Sequence, residues 1–328
     1  SPTTKLRQTI WYCNNVYWWW YGSQRIVRKI PFLISESDIL RSFQHLVEKN
    51  DNDFVVVGSG DDAAVIQSQK KDLVHSIDIS KEGTHFPNNS RPEDIAYRSI
   101  AVALSDLAAM GAYPSFITVG LTSNKTNIKW YNDFTKGLEK IIKEYDIALV
   151  GGDITFGDLN ICINVFGYSY IKPLLRSTAK PNELIYITGT LGKARKGLKD
   201  WQNKKKSIYQ VDFFRPKVRF DMAKFISSFA SSCIDISDGL IKDLGSICKL
   251  SKVGAILKYE DIPITDDIKD LFHGDDYELC FTCAEQFEEK LKTKGLKPIG
   301  KIVEGSDIKL VKENKRVNFT KTGWDSFE

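Results

Sequence analysis

The sequence predicts an α/β (α+β) protein built as two lobes, and three observations carry that prediction. Strand-like and helix-like segments alternate along most of the chain, the second half repeats the style of the first, and a turn-rich stretch from Lys172 to Pro181 separates them. At 328 residues the chain is about twice the usual domain size, which suits one large α/β unit or two domains. Hydrophobic residues at 42% and charged residues at 27% are ordinary globular values, so a disordered chain is excluded.

The segment Ile10 to Tyr21 stands apart, with Trp11, Trp18, Trp19, Trp20 and three tyrosines. Asn14 and Asn15 interrupt it and Arg25, Arg28 and Lys29 follow, so it lacks the aliphatic core and cleavage site of a signal peptide. It reads as an appended leader, or else as an aromatic segment that binds a partner or a membrane surface. The opening Ser1, in place of Met, suggests processing or an expression boundary.

From Ser35 the pattern is regular. Ser35 and Ser37 offer caps to a helix reaching Glu48, with Ile39, Leu40, Phe43 and Leu46/Val47 as its apolar stripe. Strands are expected at Phe54 to Val57, Ala63 to Ile66 and Leu73 to Ile79. Pro92 opens a helix through Met110 that Gly111 closes. A strand at Phe116 to Leu121, a helix at Ile128 to Tyr145, a strand from Ala148 ending at Gly151-Gly152, and a strand at Ile161 to Tyr168 complete the first half. In the second half, strands are expected at Leu184 to Thr188, Cys233 to Ile236, Ala255 to Lys258 and Tyr277 to Thr282. A helix follows Gly192, and another spans Leu240 to Leu250.

Charge and motifs exclude several functions. Lys+Arg 46 against Asp+Glu 42 leaves +4, a mild excess far from the basic stripe of a nucleic-acid binder. No apolar run is long enough to span a bilayer. Six scattered cysteines do not make a disulfide scaffold, so a reduced cytoplasmic setting is expected. The Cys280-Phe-Thr-Cys283 pair stands alone, and on a strand its two side chains point to opposite faces, so it reads as structural. There is no G-x-x-x-x-G-K-[ST] phosphate loop and no protein-kinase H-R-D with D-F-G. Gly58-Ser59-Gly60-Asp61-Asp62-Ala63 imitates a dinucleotide fingerprint, with Asp78 downstream. Its carboxylates, however, sit where bare helix N–H groups should meet pyrophosphate.

What recurs is aspartate beside glycine or inside apolar elements: Asp61-Asp62, Asp78, Asp106, Asp153, Asp235 with Asp238, and Asp275-Asp276. A buried carboxylate needs a partner. Clustered hard oxygens with little histidine or cysteine nearby suit Mg²⁺, which keeps waters and bridges carboxylates to substrate phosphates. Taken one at a time, each aspartate reads equally well as a cap or turn residue. His85, in Glu82-Gly-Thr-His-Phe-Pro87, would alone read as a structural loop histidine.

In order along the chain, Gly60-Asp-Asp-Ala-Ala64, Ser76-Ile-Asp78, Gly83-Thr-His-Phe86, Ala101-Val-Ala-Leu-Ser-Asp-Leu-Ala-Ala-Met-Gly111, Leu149-Val-Gly-Gly-Asp153, Leu175-Arg-Ser177, Ile234-Asp-Ile-Ser-Asp-Gly-Leu240, Gly274-Asp-Asp-Tyr-Glu-Leu279 and Gly323-Trp-Asp325 resemble the thiamine-monophosphate kinase family, of the aminoimidazole-ribonucleotide-synthetase-like superfamily. The resemblance runs from about residue 35 to the C-terminus. It implies the two-lobed synthetase-like fold, with an N-terminal metal and ATP lobe at 31–172 and a C-terminal lobe at 173–328, while residues 1–30 are an unassigned aromatic leader without counterpart in the family pattern. It implies ATP-dependent phosphorylation of thiamine monophosphate to the diphosphate by direct in-line transfer, in a cytoplasmic homodimer that needs neither nucleic acid nor membrane. Mg²⁺ would be held by the positions matching Asp62, Ser76, Ile77 (through its backbone), Asp78, Asp106, Asp153, Asp235 and Asp238. ATP contacts fall on Gly152, Asp153, Arg176 and Ser237, and substrate contacts on His85, Asp275 and Trp324. No catalytic side chain beyond the metal ligands is implied. Phosphoryl transfer asks mainly for alignment and charge neutralisation, which such a set can supply. Three departures stand out: Ile77 and Ile154 replace threonines of the family pattern, and Asp275 replaces a glutamate. The alternatives are a related enzyme such as aminoimidazole ribonucleotide synthetase, which the His-Phe and Gly-Trp-Asp segments disfavour, and a non-catalytic nucleotide-binding descendant.

Overall fold

The computed structural model describes residues 12–13, 16–21, 24–29, 35–47, 55–57, 64–320 and 322–324. In the first half the elements are β1 (Tyr12–Cys13), β2 (Val16–Tyr21), β3 (Gln24–Lys29), α1 (Glu36–Val47), β4 (Val55–Val57), β5 (Val65–Ile66), β6 (Leu73–Lys81), α2 (Pro92–Ala109), β7 (Ala112–Ser123), α3 (Ile128–Tyr145), β8 (Ala148–Phe156) and β9 (Asn160–Ser169). The second half holds β10 (Leu184–Ile187), α4 (Lys193–Gln202), α5 (Gln210–Phe214), α6 (Phe220–Ile226), β11 (Ser232–Asp235), α7 (Leu240–Ser251), β12 (Gly254–Lys258), β13 (Leu279–Cys283), α8 (Glu288–Lys292), β14 (Gly300–Val303), β15 (Ile308–Lys312) and β16 (Lys315–Val317).

Two sheets organise the molecule. One has the order β6-β9-β7-β8, the other β11-β13-β10-β14-β12-β15-β16. Only the β7–β8 and β12–β15 pairs of these sheets are parallel; the other pairs run antiparallel. β1 to β3 form a separate antiparallel sheet whose pairing is confined to itself.

Helix α1 is capped as its sequence demands: the Ser35 hydroxyl accepts from Asp38 N–H (3.2 Å) while Asp38 accepts from Ser35 N–H (3.0 Å). Ile39 and Leu46 are buried, but Leu40, expected on the same stripe, is exposed. Asn127 caps α3 by accepting from Lys129 N–H at 2.8 Å, and Asp146 in the left-handed region ends it.

α2 differs from these amphipathic helices in being buried nearly all round. It packs on β6, β9 and β7, on α3, and against β11 of the large sheet. One continuous apolar core results, in which Ile95, Leu104 and Ile117 of the first half meet Phe220, Cys233, Leu279 and Phe281 of the second. A second core, with Ile185, Leu244 and Ile302, lies on the other side of the large sheet. Cys280 belongs to that second core and Cys283 to the first, as opposite faces of β13 require. β8 does not end at Gly151-Gly152 but continues to Phe156, because β7 pairs with it along its whole length.

Candidate active site

Strands β6 and β11, helices α2, α4 and α5 and the loops beside them enclose a cleft of about 620 Å³. Arg98, Val102 and Asp106 line it at intervals of four residues, one face of α2. From β6 comes Asp78, which shares its side of the sheet with Ile163 and Val119, the side on which α2 packs. Asp235 comes from the end of β11, and Ser237 and Asp238 from the turn between β11 and α7. That turn is locked to the 272–277 loop by Asp275 N–H donating to Ser237 carbonyl and Tyr277 N–H to Ile236 carbonyl, each at 2.9 Å. The approach is so close that a Cβ on Gly274 would stand 1.8 Å from the Ser237 carbonyl oxygen. Only glycine fits there.

The carboxylates crowd one side. Ser76 donates to Asp106 at 2.5 Å. Burial, with Asp106 adding repulsion, pushes Asp78 up to about 6 and Asp235 up to about 7. Asp106 is raised too, by its own burial, with the Ser76 bond and the Arg176 charge acting against the shift. Arg176 also opposes the shift at Asp235, so this guanidinium stands near both groups although it does not line the cleft. Asp238 is paired with Lys242 at 2.9 Å.

The opposite side is aromatic and carries the positions expected to meet substrate. His85 Nδ1 accepts from Lys81 N–H at 3.0 Å, and burial followed by the Arg98 charge depresses its pKa. A neutral ring bonded in this way holds its proton on Nε2. Trp324 meets the His85 ring edge-on at 6.0 Å, its backbone N–H donates to Asp238 carbonyl (2.9 Å), and its backbone carbonyl accepts from Lys242 Nζ (2.5 Å). Asp275, with φ of 73°, accepts from Arg98. Phe86, Phe213, Phe272 and Tyr277 complete the lining.

Of the positions singled out in the sequence, Asp78, His85, Asp106, Asp235, Ser237, Asp238, Asp275 and Trp324 line this cleft, and Ser76 reaches it through Asp106. Asp62 lies outside the described residues. Gly152 and Asp153 sit on β8, the edge of the small sheet opposite β6, three strand spacings or roughly 14 Å away. Gly152 stands in the same cross-strand row as Asp78, and a Cβ on it would meet the Val119 carbonyl oxygen at 2.4 Å. Asp153 pairs with Gly120 and so points to the face away from α2, which Asp78 does not share. Ile77 lies on that outer face and is exposed, so its replacement of threonine takes no hydroxyl from the cleft; Ile154 packs against the core. Among the described residues no three His, Cys, Asp or Glu side chains converge into a protein-only metal cage.

Sequence reasoning missed Arg98, the cation that holds Asp275, and the lining residues Arg195, Lys199, Phe213 and Phe272. Arg98 had a signal: an arginine in a helix otherwise apolar around it, two turns before Asp106 on the same face.

A buried helix between a four-stranded and a larger mixed sheet, with an acidic cleft at their junction, defines an AIR synthase-related protein. The family model of the AIR synthase related protein N-terminal domain matches residues 60–171. Within that class the chain belongs to the thiamine-monophosphate kinase family. It is 38% identical over 320 residues to the thiamine-monophosphate kinase of Buchnera aphidicola from Schizaphis graminum, covering 89% of this chain and 99% of that one. The crystal structure of thiamine-monophosphate kinase from Stenotrophomonas maltophilia superposes with a TM-score of 0.76 at 31% identity, over 84% of this chain and 96% of the other. A structure of AaThiL complexed with AMPPCP and TMP has a TM-score of 0.71 at 25% identity, over 80% and 90% of the two chains.

Proposed function

We propose that this chain transfers the γ-phosphoryl group of ATP to thiamine monophosphate, giving thiamine diphosphate and ADP. The observation that carries the reading is the meeting, in one cleft, of the Asp78–Asp106–Asp235 cluster with the His85–Asp275–Trp324 wall. A phosphate oxygen of the acceptor attacks the γ-phosphorus while the bond to the bridging oxygen of ADP breaks in line. The acceptor phosphate has a second pKa of about 6, so it is already anionic at neutral pH and needs no general base. The chain's task is to align two anions and neutralise their charge.

Asp78, Asp106 and Asp235 suit Mg²⁺ by the chemistry of their donors: hard oxygens whose mutual repulsion favours an added cation, without the all-protein cage that Mg²⁺ rarely uses. Asp62, Ser76, the Ile77 backbone, Asp153 and Asp238 join them in the family pattern. Mg²⁺, when bound, supplies positive charge against the phosphates. Gly152, Arg176 and Ser237 take ATP contacts. His85 offers its Nε2 proton to the acceptor, Asp275 orients it, and Trp324 provides a flat face for a thiamine ring.

The reading includes a homodimer. Asp153 faces away from Asp78, and the same outer face exposes Leu73, Ile77 and Ile79, so a second copy across it would cover apolar surface and return Asp153 to an active site. A cytoplasmic setting, where ATP is supplied and thiols stay reduced, suits the free Cys162, Cys233, Cys248, Cys280 and Cys283. None of the helices among the described residues is long and apolar enough to cross a membrane. Incubation with ATP, Mg²⁺ and thiamine monophosphate should yield thiamine diphosphate and ADP in equal amounts. Binding of both substrates without product would refute the kinase reading.

A further inference from the structure

Arg98 is 3% exposed, yet it is the cation at the centre of the substrate side. Its guanidinium serves three separate chain segments. Nε donates to the His85 carbonyl at 3.2 Å, Nη1 to the Phe213 carbonyl at 2.5 Å, and Nη2 to the Asp275 carboxylate. The group also lies 4.1 Å from the centre of the Phe213 ring and 5.8 Å from that of Tyr277. Burial alone would favour loss of its proton, but the Asp275 charge and its neighbours more than offset this, so the pKa is raised and the charge is permanent. The partners come from the turn after β6, from α5 and from the loop before β13, so one side chain joins all three.

We propose that Arg98 is the positioning residue of the acceptor pocket, fixing the width between the His85 turn and Asp275 and thereby the affinity for thiamine monophosphate, without touching the nucleotide. This rests on the kinase reading for the identity of the acceptor. A planar fork with donors on three sides is required: lysine would keep the charge but reach one or two of the three acceptors, and methionine would keep only the packing. Asp275 is half-buried, so losing its partner loosens the loop without forcing the fold apart.

The test compares Arg98→Lys and Arg98→Met with the unmodified protein by steady-state kinetics, thermal unfolding and backbone hydrogen exchange. The KM for thiamine monophosphate should rise about tenfold or more in the methionine variant and by less in the lysine variant, with the KM for ATP within about twofold in both. Exchange should quicken in residues 82–87 and 272–277 together while α3 and β12 keep their protection. An unchanged KM for the acceptor, or a parallel rise for both substrates, overturns the proposal. So does exchange that quickens throughout the molecule. If the unmodified protein fails to phosphorylate thiamine monophosphate but the two segments loosen together, the kinase reading falls and the positioning role stands. If methionine prevents folding, the lysine variant still decides through its two KM values.

Discussion

On one side of the cleft, burial raises Asp78, Asp106 and Asp235, and the Asp106 charge raises the other two further. Hydrogen bonds from Ile79 N–H and Ser76, the Ser105 hydroxyl and the fields of Arg98 and Arg176 only partly oppose this. In the 270–278 segment beside it, three carboxylates each meet a guanidinium directly. Glu278 accepts from Arg219 Nε at 2.6 Å, Asp270 from Arg195 at 2.6 Å, and Asp275 from Arg98. The chemistry of the groups is the same and only the partner differs. A carboxylate with a resident arginine is part of the frame, whereas one held beside its own kind is poised for a cation from outside.

The comparison breaks first at Glu278. Removing it by Glu278→Ala leaves Arg219 without its partner, and denaturant unfolding should show a loss of about 3–5 kcal/mol. A loss below 1 kcal/mol would mean the arginine-paired carboxylates are not structural. Asp78→Asn should do the reverse. Turnover should fall by about 10²–10³-fold, equivalent to roughly 3–4 kcal/mol, while the melting temperature holds or rises because a repelled charge is gone. Near-normal turnover, or a lowered melting temperature, would erase the distinction between the two sides.

Asp276 sharpens it, as a partly buried carboxylate held by two backbone donors, Gly192 N–H at 2.7 Å and Ala194 N–H at 3.3 Å, in place of an arginine. Burial outweighs those bonds and pushes it up to about 8. A folded-state pKa above the unfolded value means that stability is fully present below about pH 4 and is lost as pH climbs to 8. Asp276→Asn lacks that loss, so its stability relative to the unmodified protein should improve from pH 4 to 8 by a few kcal/mol, at up to about 1.4 kcal/mol for each pH unit. Parallel pH profiles for the two proteins would show that the backbone donors suffice.

Much of this was legible in the sequence because local rules operated alone. The period of Ile128 to Tyr145 and its Asn127 cap gave α3 its observed ends, and the aspartates announced themselves by standing in apolar elements. β8 runs past Gly151 and Gly152, which weaken any strand signal, because the pairing that sustains them comes from β7, some thirty residues earlier in register. β14 to β16 carry little local signal because each is only three to five residues long. β15 and β16 are lysine-bearing strands at or near the sheet's edge, whereas β14 lies inside it and is held by its pairing with β10 and β12. The facing of Asp153 away from Asp78 is a property of sheet order, which no local pattern carries. The role of Arg98 depends on a partner 177 residues away.

The chain and the core do not divide at the same place. Lys172 to Pro181 separates two runs of secondary structure, but α2 lends one face to each sheet, and Ile95, Leu104, Phe220 and Phe281 belong to a single interior. A gene fragment ending near residue 172 would therefore release a half-protein with the greasy flank of α2 uncovered, and its complement would bare one side of β11 and β13. Neither piece would be a soluble module, and grafting one lobe onto a foreign partner would need that partner to supply the missing wall.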